Sequence, residues 1–298
     1  MIYCQAVLTK AGLGGRLFSW ARCRFFSNVN KVPMLSPLWT QLKIGPLLRG
    51  EPDPRFYNNL FKKRQGDISG MKRAWLEWTA KIEHEPDNLN CLEKTRTSKD
   101  TIILFKDWGG YFRKLNGWDE MLYGEIYSIT KEVWLKRADS IQEVPIGIHI
   151  RRGDFKEAKS AEDFHSTGAL RTPLGWFIES LEVIRRAVGF SAKAVVVSNG
   201  REEELKELLK LENVTLVRGG SAISDLLILS KAKVLIASGG STFSCWASFF
   251  GQMPTISYPG QSLTWYNLAN RKGFYIGEFD PDSPSTQFIE QARAVLRS

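Results

Sequence analysis

The chain has 298 residues, 43% hydrophobic and 24% charged, the composition of a soluble globular protein with room for two domains. No apolar stretch reaches the ~20 residues of a membrane span, and the N-terminus lacks the charged and apolar regions of a signal peptide. The net charge of +9 is uneven: residues 1–140 hold 23 Lys/Arg against 15 Asp/Glu, and residues 141–298 hold 18 against 17.

That asymmetry reads either as a solvated basic surface or as attraction of the N-terminal half to an anionic membrane face or an acidic acceptor. No RNA- or DNA-binding motif accompanies it, so nucleic acid is not an expected partner. Cys4, Cys23, Cys91 and Cys245 show no CxxC spacing. This argues against a zinc site or a disulfide framework and for a reducing compartment. The expected location is cytoplasmic, peripheral to the membrane.

In chain order, Ile2 to Thr9 reads as a strand and Lys10 to Gly15 as a tight Gly turn. Leu17, Trp20, Ala21 and Phe25 then continue with helical spacing. Arg16, Arg22 and Arg24 mimic a transit peptide in composition, but this strand–turn–helix setting reads as folded structure. Residues 33–66 hold five Pro and many aromatics, which predict short elements and loops. Lys72 to Lys81, with Trp75 and Trp78, predicts a short amphipathic helix. Glu83 to Lys99 is polar and loop-like, and Thr101 to Phe105 is a strand. Trp118, Met121, Leu122, Ile126, Ile129 and Val133 share one face of a helix expected over Asp119 to Arg137. The charged stretch Lys136 to Glu143 follows, and the domain boundary is expected there, dividing 1–140 from 141–298.

Beyond it strands and helices alternate. Strands are expected at 144–150, 194–197, 214–217, 234–237 and 254–257. One helix starts from Thr172 as N-cap and Pro173 in the first turn, and others cover 202–210, 224–231, 241–250 and 287–296. Such alternation predicts α/β architecture with a parallel, doubly wound sheet.

His149-Ile150-Arg151-Arg152-Gly153-Asp154 stands at the carboxyl end of the strand beginning at Val144. Ligands bind at that end of open α/β sheets, and arginines fork onto phosphate oxygens. Paired arginines there point to a diphosphate, and so to a nucleotide or nucleotide-sugar. Alternation turns the two side chains to opposite sides, so one can meet a ligand while a carboxylate such as Asp154 holds the other. Ser238-Gly239-Gly240-Ser241-Thr242-Phe243-Ser244 follows a second strand and opens a helix. It reads as an anion site at a helix N-terminus or as an ordinary cap by Ser241. Asp225 reads as a first-turn acid or as an acceptor for a base or ribose. The turn containing Gly12, Gly14 and Gly15 either cradles a phosphate or simply connects, and Arg16 after it faces a ligand or solvent. It is neither a P-loop nor a full GxGxxG.

The His-x-Arg-Arg-x-Asp sequence resembles the motif shared by α-1,2-, α-1,6- and protein O-fucosyltransferases. Ser224 to Ala232 and Ala237 to Ala247 resemble the second and third motifs of the α-1,2 family, and Gly12-Leu13-Gly14 resembles its Gly-Leu-Gly-Asn-Gln loop. The likeness extends from residue 11 to about residue 260. It implies a GT-B fold of two Rossmann-like domains, with the active site in the cleft between them. It also implies an inverting, metal-independent transfer from GDP-fucose to a glycan or lipid-linked saccharide, with no cofactor. In that family Arg152 or Arg151 would bind the β-phosphate, Ser241, Thr242 and Phe243 would line the diphosphate and base, and Asp225 with the His149 region would read guanine. Gly15 and Arg16 replace the loop Asn and Gln, and Cys245-Trp246 replaces a tandem Trp. Another nucleotide-sugar, or a non-catalytic nucleotide or polyanion binder, therefore stays as the alternative. Fixed arginines and helix N-termini can stabilise a departing diphosphate in place of a metal. Asp154 and Glu157 are the candidate bases for an acceptor hydroxyl.

Overall fold

The computed structural model describes residues 1–40, 48, 57–92, 99–160, 162–166 and 169–298. The expectation of short elements over 33–66 falls partly outside these residues. Two compact units are present. One comprises Met1–Gln41 with Tyr57–Lys131, and a second contains Glu132–Ser298.

In the first unit β1 (Ile2–Ala6) leads into α1 (Leu13–Asn30), then β2 (Met34–Leu35), α2 (Gly70–Thr79), β3 (Lys81–His84), β4 (Thr101–Phe105) and α3 (Asp119–Ile129). The sheet is parallel with order β2-β1-β4-β3. The residues of α1 from Leu13 to Ser27 are all buried, so this is a core helix and not an amphipathic surface one. Its three arginines lie inside with it. Arg22 Nε pairs with Glu85 at 3.0 Å, and Arg24 Nη2 pairs with Asp67 at 2.6 Å. Arg16 Nη1 donates to the Trp39 carbonyl at 2.6 Å, and its guanidinium lies over the Tyr57 ring. Arg16 is 4% exposed, so the alternative that it faces solvent is corrected.

Two further expectations change. The single helix over Asp119 to Arg137 is two, α3 and α4 (Glu132–Asp139). Thr130 turns extended there and bridges to Phe61, while Lys62 and Lys131 donate to the carbonyls of Ile129 and Leu60. Tertiary pairing overrides a continuous apolar face. Glu83 to Lys99 was expected as loop, yet its first two residues, Glu83 and His84, belong to an edge strand, Lys81–His84. Three of its four residues are exposed, so it carries no apolar signal.

The second unit runs β5 (Ile146–Ile150), α5 (Asp163–Ser166), α6 (Leu174–Val188), β6 (Ala194–Ser198), α7 (Lys206–Leu209), β7 (Val214–Leu216), α8 (Ala222–Leu229), β8 (Val234–Ala237), α9 (Thr242–Gly251), β9 (Thr255–Ser257), β10 (Ile276–Glu278) and α10 (Thr286–Arg297). The sheet is parallel, with order β10-β9-β8-β5-β6-β7. β5 and β8 are buried along their whole length, as central parallel strands require. Ile148, Val196, Ile236 and Ile256 pack with Phe177, Ile184 and Phe288 from the helices. Pro173, not Thr172, is the N-cap of α6, because Thr172 is turned inward. Edge strand β10 was not expected at all. Both units thus carry parallel Rossmann-like sheets, the architecture called GT-B. From β5 the chain builds outward through β6 and β7, then returns to the other side for β8, β9 and β10. The reversal between β5 and β8 is a topological switch point.

Candidate functional site

The carboxyl ends of β5 and β8 meet at that switch point, and the arginine motif occupies it. His149 is 4% exposed and stacks at 4.9 Å from Phe243. Ser244 Oγ donates to the Ser238 carbonyl at 3.1 Å, so His149 Nδ1 carries the proton and donates to Ser244 Oγ at 2.7 Å. Nε2 is then a lone-pair acceptor. Burial, with Arg151 nearby, pushes the His149 pKa down to about 3, so the ring is neutral at physiological pH.

The next two residues are held by different elements. The Arg151 backbone N–H donates to Ser238 Oγ at 2.8 Å, so Ser238 positions the turn through its own hydroxyl. The Arg151 guanidinium donates twice to Asp154 Oδ1, at 3.0 and 2.6 Å, and lies over the Phe155 ring. Gly153, with φ of 41°, makes the sharp turn that brings Asp154 back to it. The Arg152 backbone N–H donates to Asn199 Oδ1 at 2.8 Å, at the end of β6. Arg152 Nη1 donates to the Thr172 carbonyl at 2.8 Å.

Arg152 is 6% exposed, and among the described residues its remaining N–H donors have no partner and no carboxylate pairs with it. Burial, and then the neighbouring Arg171, lower its pKa, while Glu204 and Glu157 act the other way. Those two carboxylates are themselves paired with Arg171, at 3.2 and 2.9 Å. A guanidinium stays charged in proteins, so this is a buried cation with spare donors. Such a group suits an anion that enters from solvent.

The support around it is tight. Thr172 Oγ1 donates to Gln261 Oε1 at 3.0 Å, and both residues are fully buried. A Cβ on Gly239 would lie 2.1 Å from Gln261 Cβ, and one on Gly200 would lie 2.8 Å from Arg152 Cγ. Ser241 is the N-cap of α9 but its side chain does not close the helix end. Its hydroxyl and the first N–H groups of α9 thus flank the switch point, with Thr242 and Phe243 half-buried beside them. Asp225 is half-buried in the first turn of α8, whose end is closed by a capping box of Ser221 and Ser224.

The structure therefore brings His149, Arg151, Arg152, Asp154, Ser238, Ser241, Thr242 and Phe243 to one switch point. Gly12, Gly14 and Gly15 belong to the other unit. There Gly12 is the N-cap of α1, the Leu13 N–H donates to the Tyr57 hydroxyl at 2.9 Å, and Gly15 lies against Ala11 and Trp108. Asn199, Gly200, Thr172 and Gln261 were missed as supporting residues, while Ser244 belongs to the expected Ser238–Ser244 motif. Asn199 and Gly200 had a readable signal, since they end a strand of the same predicted sheet.

A model of glycosyl transferase family 11 matches residues 116–269, more than half of the chain. The chain belongs to glycosyl transferase family 11. The family likeness read from the arginine motif holds, and the protein is a glycosyltransferase. Its fold is also that of crystal structures of the fucosyltransferase NodZ from Bradyrhizobium, at 14% identity and a TM-score of 0.52 over 87% of this chain and 96% of that one. NodZ alpha-1,6-fucosyltransferase co-crystallised with GDP aligns at 14% identity and 0.54, over 86% and 94%. The same enzyme soaked with GDP-fucose aligns at 14% and 0.50, over 86% and 94%. No curated protein matches this family 11 chain in sequence.

Among the described residues, no three His, Cys, Asp or Glu cluster to hold a metal ion. Asp280-Pro281-Asp282 has DxD spacing, but Asp280 Oδ1 accepts the Asp282 N–H at 3.0 Å and closes a local turn. Among the same residues, no helix is long and apolar enough to cross a membrane. All four cysteines are unpaired.

Proposed function

We propose that this family 11 enzyme transfers fucose from GDP-fucose to a glycan hydroxyl, with inversion, without a metal ion, and in α-1,2 linkage. The observation that carries the reading is Arg152, a buried cation whose spare donors have no partner among the described residues. The fold neighbours crystallised with GDP and with GDP-fucose support the nucleotide.

In this reading the spare donors of Arg152 take the β-phosphate. As the sugar–phosphate bond breaks, charge grows on the departing diphosphate, and a fixed guanidinium stabilises it without reorganising. The open end of α9, with Ser241 and Thr242, adds N–H and O–H donors to the same oxygens. Phe243 stacks on the base. Neutral His149 offers Nε2 as an acceptor, and Asp225 offers a carboxylate, to the N–H edge of guanine. Asp154 holds Arg151, because its Oδ1 already accepts two of that side chain's donors. The acceptor we place at the cytoplasmic membrane face, as a lipid-linked saccharide, in keeping with the basic first 140 residues.

Thermal stabilisation by GDP, beside UDP, ADP and CMP and with chelator present, tests the donor. Selective stabilisation by GDP is expected, followed by transfer from GDP-fucose with the anomeric form and linkage read by NMR. Selectivity for another nucleotide would discard fucose. No response to any nucleotide would leave a polyanion binder.

A further inference from the structure

The helix α2 is built with its apolar face outward. Leu76 anchors it, packing with Tyr3, Leu35 and Ile102, and Arg73 Nη1 donates to the Ser36 carbonyl at 2.6 Å. On the opposite side Met71 is 91% exposed, Trp75 55% and Trp78 86%. They recur at i, i+4 and i+7 and so share one stripe. Ile82, 47% exposed on edge strand β3, extends the apolar surface past the end of the helix. Scattered exposed apolar residues need no explanation, but a contiguous stripe with two tryptophans does.

The rim of the stripe is basic. Lys62, Lys63, Lys72 and Lys99 are exposed and have no ion pair among the described residues. Lys62 and Lys63 share a cavity wall with Arg73 and Ala74 of α2, and Lys99 precedes Asp100, whose carbonyl accepts the Lys81 N–H. Among the described residues, the nearby acids are already taken. Glu77 pairs with Arg73, Glu83 with Lys81, Asp67 with Arg24, and Asp100 with the N-terminal amine. Exposed tryptophans beside lysines that have no ion pair among the described residues match a membrane interface, where the indole sits at headgroup depth and the cations meet anionic lipid.

We infer that the apolar surface formed by Met71, Trp75 and Trp78 of α2 with Ile82 of β3 docks the enzyme on an anionic lipid bilayer. This rests on the membrane contact proposed above and locates it, while remaining independent of the donor. The full chain is sedimented with vesicles of phosphatidylglycerol and phosphatidylcholine, beside vesicles of phosphatidylcholine alone. The wild type is expected to partition onto the anionic vesicles and to leave them in high salt. Combined Trp75→Ser and Trp78→Ser substitutions are expected to lower the partition coefficient by ~10-fold or more, with melting temperature and GDP response unchanged. Combined Lys62→Glu and Lys72→Glu substitutions are expected to remove the preference for phosphatidylglycerol. Equal partition of wild type and tryptophan variant overturns the inference, as does a wild type that stays in solution. Self-association abolished by the tryptophan substitutions would assign the face to a second copy and also overturn it. Vesicle binding that survives while no nucleotide stabilises the protein would count against the donor reading alone.

Discussion

Arg22 and Arg24 of α1 and the arginine at the end of β5 are all buried and are completed differently. Arg22 and Arg24 are 0% and 1% exposed, and each faces a carboxylate of its own unit. Arg152 is 6% exposed and faces the Thr172 carbonyl, with two carboxylates nearby that Arg171 has already engaged. In the first case folding itself supplies the counter-charge, so the ion pairs belong to the core. In the second, neutralisation is left to something that arrives later. Burial alone does not mark a functional arginine.

Substitutions can break that contrast. The largest effect is expected from Arg24→Ala, which leaves Asp67, 3% exposed in its side chain, as an uncompensated buried charge. A loss of about 3–5 kcal/mol in urea unfolding is expected, and a loss under 1 kcal/mol would show that the pair is not structural. Arg152→Ala should behave in the opposite way, with turnover falling ~10²-fold or more and urea stability nearly unchanged. Near-normal turnover in that variant would remove the phosphate assignment. Arg152→Lys should recover only part of the loss, because a lysine cannot donate to Thr172 and fork onto a phosphate together. Gly200→Ala pushes a methyl to within 2.8 Å of Arg152 Cγ, and should cost about tenfold in turnover by displacing the guanidinium. Unchanged kinetics there would mean that the position of Arg152 is not limiting.

The smallest effect concerns pH. The folded protein holds His149 neutral down to about pH 3, whereas the unfolded chain takes up that proton below about 6.5. Its contribution to stability is therefore full above pH 6.5 and is lost progressively as pH falls toward 3. His149→Asn should flatten that part of the melting-temperature profile. Parallel profiles for the two proteins would show that the imidazole does not titrate with unfolding.

The second unit was legible because its central strands are apolar on both faces and its helices carry ordinary start signals. Thr101–Phe105 and Val234–Ala237 were expected at the bounds they have. Edge strands β3 and β10 were not, since edges of polar composition show no period. The break at Thr130 depends on Phe61, nearly seventy positions away in sequence. The site divides along the same line. Contiguous residues such as His149 to Asp154 could be read directly. Thr172, Asn199 and Gln261 reach Arg152 or one another across 20 to 89 positions, and only the folded sheet brings them together. The outward stripe of α2 was half-legible, because spacing defines an apolar face but not the direction in which it points.

The incomplete neutralisation of Arg152 also bears on handling the protein. Any small oxyanion in the buffer can occupy the spare donors. Phosphate and sulfate should therefore raise the melting temperature by mass action, and for the same reason depress initial rates in competition with the donor. A preparation that looks best behaved in phosphate would be the one in which activity is easiest to miss.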